Sequence, residues 1–208
     1  MITITVAIIE IVVGVMAARK LLRDRTEWNR ITAGIVTVMS AVIFGAGGYL
    51  MGLYGYHWLK MLRYFTLMYA LLILAVIDVR EKIIPNRALM ILFGFRLLLL
   101  LGEIWSFPEL AIEIVLSSVA GMIGGGLLFL IAGLLTGKGL GMGDVKLIGV
   151  IGFYLGFRVL MSNLVITLTL TVVAGIGLLL FKKISMKSEI PFAPFAAVGT
   201  IITLLMGF

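Results

Sequence analysis

Two aspartates carry the chemistry this sequence offers. Asp78 closes the apolar run Tyr69–Ile77 and leads into Val79-Arg80-Glu81-Lys82-Ile83-Ile84-Pro85-Asn86. Asp144 sits in Gly139-Leu140-Gly141-Met142-Gly143-Asp144-Val145-Lys146, again where an apolar run meets a polar connection. Two carboxylates brought within a few ångströms cannot both ionise readily, so they share one proton and titrate as a pair. The ionised member can take a proton from water while the protonated member polarises an amide carbonyl, a division of labour that hydrolyses a peptide bond. The other reading is that each aspartate caps a helix or pairs with Arg80 or Lys146. Residue types and spacing leave both open.

The rest of the composition narrows the choice. There is no cysteine and a single histidine, His57, so thiol nucleophiles, disulfide scaffolds, cysteine-ligated metals and histidine-based metal sites are not available. No metal and no cofactor is expected. An acid–base pair of carboxylates needs none of these groups.

The elements that must position the pair are membrane helices. Of 208 residues, 62% are hydrophobic and 13% charged, against about 25% charged in soluble domains. Apolar runs lie near Ile2–Ala18, Ile31–Tyr54, Met61–Ile77, Ala88–Leu101, Leu110–Leu135, Val145–Phe157, Val159–Phe181 and Phe192–Phe208. At about 20 apolar residues per crossing, the expectation is an all-α, polytopic integral membrane bundle of about eight transmembrane helices (six to eight). Residues 1–208 are read as a single membrane-embedded domain. The first run has its basic residues after it, as in a retained helix and not a cleaved signal peptide.

Charge fixes the topology. Most of the 17 basic residues fall in every second connection: Arg19, Lys20, Arg23, Arg25 and Arg30; Arg80, Lys82 and Arg87; Lys138 and Lys146; Lys182, Lys183 and Lys187. With both termini outside, all four of these connections are cytoplasmic, as the positive-inside rule requires. The net charge of +7 is thus a topology marker next to a lipid bilayer, not a nucleic-acid footprint. Asp78 and Asp144 then share one depth, the cytoplasmic membrane edge. The glycines ahead of Asp144 permit a tightly packed backbone there, and those within helices, such as Gly121, Gly124 and Gly125, let neighbouring helices approach closely.

The remaining acidic residues sort differently. Asp24 and Glu27 are expected to pair with arginines of their basic loop, Glu103 and Glu109 to be solvated in an outer loop, and Glu81 and Glu189 to lie in cytoplasmic connections. Glu10 and Glu113 fall inside apolar runs, where a polar crevice and a helix packing face are equally good readings.

Three stretches together resemble the type IV prepilin leader peptidases, membrane aspartic proteases of the GxGD class. Gly141-Met142-Gly143-Asp144-Val145-Lys146-Leu147 is similar to the family's second-aspartate motif, and Ile77-Asp78 followed by Ile84-Pro85-Asn86 to its first. Ile190-Pro191-Phe192-Ala193-Pro194-Phe195 resembles its late Pro-Phe-Gly-Pro-Phe stretch, with Ala193 in place of the glycine. The likeness covers residues 69–208, leaving N-terminal membrane helices over 1–60.

The resemblance implies that Asp78 and Asp144 form a catalytic dyad. It also implies that the substrate is a prepilin or pseudopilin whose short basic leader is cut off at the cytoplasmic face of the inner membrane, ahead of a hydrophobic helix. Gly141 and Gly143 are then expected to let the Asp144 loop pack closely, and Pro85 and Asn86 to shape the turn after Asp78. Lys146 either modulates the dyad's charge or anchors at headgroups. Pro191, Phe192, Pro194 and Phe195 either line a substrate groove or open the last helix. Many bacterial members also carry a cytoplasmic Cys-x-x-Cys domain and methylate the new N-terminus; with no cysteine in the sequence, peptidase without methyltransferase activity is expected. Tight-adherence pilin peptidases and preflagellin peptidases share the short form. Presenilin-type proteases share GxGD but have Tyr-Asp and Pro-Ala-Leu motifs missing here. An ion-coupled transporter using Asp78, Asp144, Glu10 and Glu113 is the reading from another class, although no internal repeat is detectable.

Overall fold

The structure, a computed structural model, describes residues 45–136, 141–181 and 190–207. Helical residues 45–53 lead into α1 (Trp58–Glu81), α2 (Asn86–Ser106), α3 (Ala111–Thr136), α4 (Met142–Leu155), α5 (Phe157–Leu180) and α6 (Ala193–Leu205). One 3-10 turn, Pro108–Leu110, joins α2 to α3, and no strand occurs among the described residues. The protein is an all-α membrane bundle. Four described helices, α1, α2, α3 with its 3-10 turn, and α5, are long and apolar enough to cross a membrane. The expected first span, most of the second, and Glu10 lie outside the described residues. The other two helices are short: α4 has 14 residues and α6 has 13. At 1.5 Å per residue each is roughly 20 Å long, less than the ~30 Å hydrocarbon core.

Burial identifies the centre. Leu67, Met68 and Leu71 of α1 are fully buried, as are Leu147, Ile148 and Ile151 of α4 and Ala193 and Ala196 of α6. These three helices build one apolar core. The outward faces of α2, α3 and α5 instead expose Leu98, Leu101, Leu116, Val165 and Val173, surface that a lipid solvent covers at no cost.

Close approach of backbones holds the layers together, because apolar side chains gain little from leaving lipid for protein. A methyl group on Gly152 of α4 would collide with the backbone carbonyl of Gly121 on α3, and one on Gly121 would collide with Gly152. Of the helix glycines expected to serve packing, Gly121, Gly124 and Gly125 do so, whereas a Cβ on Gly45, Gly126 or Gly177 would meet no described residue within 4 Å. Gly156, at φ +78°, is the one residue between α4 and α5, a left-handed turn that glycine adopts without a Cβ penalty.

Polar groups far from the aspartates form a second fixed point. Arg96 is completely buried. Its Nε donates to the Phe153 carbonyl at 3.0 Å, one terminal nitrogen to Glu103 Oε2 at 2.9 Å and the other to Ser118 Oγ at 3.0 Å. Arg63 of α1 reaches the same carboxylate at 3.1 Å. Glu103 is therefore not a solvated loop residue. It lies on α2, buried, paired with Arg96 of the same helix and joined to α1 through Arg63, because a charge at this depth must be paired. Glu113, by contrast, is exposed in the first turn of α3, where the helix dipole favours a negative charge.

The glycine contact makes a prediction about stability. Gly152→Ala should lower thermal stability in detergent by roughly 1–3 kcal/mol through overpacking. Gly177→Ala, at a helical position with nothing within 4 Å, should be neutral or stabilising by up to ~1 kcal/mol. Equal melting of Gly152→Ala and the parent protein would contradict the close approach.

Candidate active site

The last turn of α1 carries Asp78. The helix stops at Lys82, in a left-handed conformation at φ 51°, whose N–H donates back to the Asp78 carbonyl. The chain then runs extended through Ile83 and Ile84 to Pro85, which stands just before α2 with φ −67° and ψ 121°. A proline there costs no helical hydrogen bond and disfavours the helical region for Ile84 before it. Asn86 opens α2, so Pro85 and Asn86 do shape the turn after Asp78.

Asp144 sits in the first turn of α4, with Gly141 at the N-cap. Its carboxylate accepts the Gly141 N–H, the reach-back of a capping box. Gly143 explains the small residue between them. A Cβ at this position would stand 3.3 Å from the Ile84 Cβ, so the α4 start packs directly on the segment following Asp78.

The third element is the start of α6. Ala193, the first residue of that helix, is fully buried and donates its backbone N–H to Asp78 Oδ2 at 2.9 Å. Asp78 itself is 5% exposed. Three chain segments thus meet at one carboxylate.

Asp78 and Asp144 line a single cavity of about 500 Å³. Gly141, Met142 and Gly143 form one wall, Lys82, Ile83, Ile84 and Asn86 another, and Ile190, Pro191 and Phe192 a third, with Lys146 at the rim. Lys146 donates from Nζ to Asn86 Oδ1 at 3.1 Å, tying α4 to α2 across the mouth. Asp144 stands ahead of the apolar stretch of α4, and its carboxyl is pushed up to about 6, first by burial and then by the neighbouring Asp78, against the opposing pull of the Gly141 N–H.

The sequence-derived residues line this cavity, except Pro85, Pro194 and Phe195. Pro191 and Phe192 line the cavity, whereas Pro194 and Phe195 lie in the first turn of α6 and are not among the lining residues. Sequence reasoning missed the Ala193 N–H, because a backbone donor is invisible in residue type. The signal for it is proline chemistry: Pro191 and Pro194 mark a helix start, and a helix start has unpaired N–H groups. Among the described residues no group of three or more His, Asp or Glu side chains is placed to hold a metal ion.

The model of the type IV leader peptidase family matches residues 65–180. The chain is 30% identical over 177 residues to the prepilin leader peptidase/N-methyltransferase of Bacillus subtilis, covering 82% of this chain and 64% of that protein. To the protein of the same name from Aeromonas hydrophila it is 34% identical over 143 residues, covering 68% of this chain and 48% of that protein. The chain thus spans about half to two thirds of the length of these relatives. No solved structure matches it. With more than half of its residues matched, including both aspartates, the chain belongs to the type IV leader peptidase family.

Proposed function

We propose that this membrane domain is an aspartic endopeptidase that removes the basic leader from type IV prepilin-like precursors at the cytoplasmic face of the inner membrane, with Asp78 and Asp144 as its catalytic pair. The observation that carries this reading is that two carboxylates from distant parts of the chain line one recess of about 500 Å³. Both positions lie within the family match, residues 65–180, and the start of the helix that donates to Asp78 lies in the stretch that resembles the family's late Pro-Phe-Gly-Pro-Phe motif.

The roles divide by environment. Asp144 retains its proton up to about pH 6 and is the acid that hydrogen-bonds the scissile carbonyl oxygen. Asp78, oriented by the Ala193 N–H, is the base that takes a proton from the attacking water. Water oxygen bonds to the carbonyl carbon, the carbonyl oxygen takes the proton of Asp144, and a tetrahedral diol forms. Its collapse returns a proton from a diol hydroxyl to Asp144 and breaks the C–N bond, while the proton held by Asp78 passes to the leaving nitrogen. The pair ends with the single proton it began with. Gly141 and Gly143 keep the Asp144 turn against Ile84, Pro85 and Asn86 set the turn after Asp78, and Lys146 braces the mouth through Asn86. Pro191 and Phe192 supply an apolar wall for the substrate chain, with Pro194 and Phe195 holding that wall from α6. No cofactor takes part.

Precursors of tight-adherence pili or archaeal flagella present the same bond, a basic leader ahead of a hydrophobic helix, and the same chemistry serves them. The curated relatives are named as methyltransferases as well. For this chain we propose cleavage alone, since none of its 208 residues is a cysteine and the family's methylating members carry paired Cys-x-x-Cys motifs.

The direct test is cleavage in liposomes of a precursor whose basic leader ends in glycine before a hydrophobic helix, read by product mass. The expected product begins at the residue after that glycine, without an added methyl group. Absence of cleavage across several such precursors, together with proton or ion flux through the same liposomes, would replace this reading by transport.

The proton on Asp144 sets a second expectation. The active form holds one proton on the pair, so kcat/KM should fall as pH rises through about 6 and that proton is lost. A profile that stays flat from about pH 5 to 8 would remove Asp144 from the acid role.

A further inference from the structure

A second cavity, of about 650 Å³, lies between α2, α3 and α4 and is almost wholly apolar. It is continuous with the aspartate recess in one specific sense. Asn86 and Lys146, the hydrogen-bonded pair at the mouth, line both spaces. From that shared sill the groove descends along α2 past Leu89, Met90 and Phe93 to Gly94, two helical turns or roughly 12 Å into the membrane. Its α4 side is Val145, Gly149 and Val150, the residues directly below Asp144, and its α3 side is Met122 and Gly126.

Two features mark it as a seat for a helix and not a packing gap. Gly94 and Gly126 face it from opposite walls, and a Cβ on either would meet nothing within 4 Å. The glycines at the closed α3–α4 contact are crowded by backbone; these two are bare. Small residues bordering unfilled space are what a further membrane helix needs to approach closely. Met90, 73% exposed at the edge, supplies a flexible apolar side chain that adapts to different partners.

We infer that this groove seats the first two turns of the substrate's hydrophobic helix, the part retained after cleavage, so that the bond ahead of that helix is delivered across the Asn86–Lys146 sill to Asp78 and Asp144. The inference rests on the leader-cleavage reading, which supplies a bond immediately followed by a membrane helix. The groove fixes how far above the hydrocarbon edge that bond can sit. Specificity therefore comes from small side chains in the first two turns of the substrate helix, opposite Gly94 and Gly126.

A chain without native cysteines permits a clean test. Cysteine is placed at Gly126, at Met90 or, as a control on the outward face of α5, at Val173, each in the full chain, and paired with single cysteines walked along the membrane helix of a prepilin-type precursor. Disulfide capture is run with Asp144→Asn added to hold the uncut precursor, and cleavage is measured in parallel with Asp144 intact. The expected result is capture from Gly126→Cys and Met90→Cys confined to the first two turns, several-fold above Val173→Cys. Capture equal at Val173→Cys, or absent from both groove positions while the Asp144-intact protein cuts the precursor, overturns the groove assignment and leaves the cleavage reading standing. If the protein without introduced cysteines fails to cut, the cleavage reading fails, and the groove assignment fails with it.

Discussion

The candidate site depends on one buried hydrogen bond, from the Ala193 N–H to Asp78 Oδ2, joining residues 115 apart in sequence. A carboxylate at a membrane edge is expensive unless its oxygens are engaged, and an unpaired N–H at a buried helix start is expensive too. Each satisfies the other. A hydrogen bond to a charged group contributes about 1.5–3 kcal/mol, and here it also fixes where α6 begins. That start places Pro191 and Phe192 on the wall of the recess, and the recess is what lets Asp144 face Asp78.

The same rule acts at the other end of the bundle with the signs exchanged. Arg96 is too deep to remain unpaired, and Glu103 answers it from the same face of α2, with Arg63 completing the join to α1. The bundle is therefore pinned by polar contacts near both ends and by bare backbone contact between Gly121 and Gly152 in the middle. α4 and α6 are too short to span the hydrocarbon core, and both begin at the aspartate recess. α1 ends and α2 begins at the same recess, so four helix termini border the space that water needs. Water is a reactant in the proposed chemistry, so this meeting of helix ends is part of the site.

Much of this was legible in the residues. Charge alternation predicts one depth for Asp78 and Asp144 without any knowledge of packing, and the two line one recess; the motif glycines announce the close fit that Gly143 makes with Ile84. Pro85 signals the break before α2, because proline disfavours helix for the residue before it, and α2 starts at Asn86. Other features needed the third dimension. Glu103 reads as a loop acid because the apolar run in the sequence ends at Leu101. Its partner, Arg96, stands seven residues earlier, about two turns up the same helix face, and that spacing was the available signal. Lys146 was open between two roles, and its bond to Asn86 depends on how α4 crosses α2, which neither segment encodes alone. The Ala193 N–H and the groove beside α2 are properties of backbone and empty space, to which residue type is blind.

The central claim is that Asp78 and Asp144 act as one pair. The most direct measurement is single-turnover cleavage of a prepilin-type precursor by Asp78→Asn, Asp144→Asn and the double variant, each shown to be folded by its melting in detergent. The account predicts that either single change lowers the rate by roughly 10²–10⁴-fold and that the double variant is no slower than the slower single one, as for groups that work as a unit. Near-normal cleavage by either folded single variant, or losses that multiply in the double variant, would contradict it.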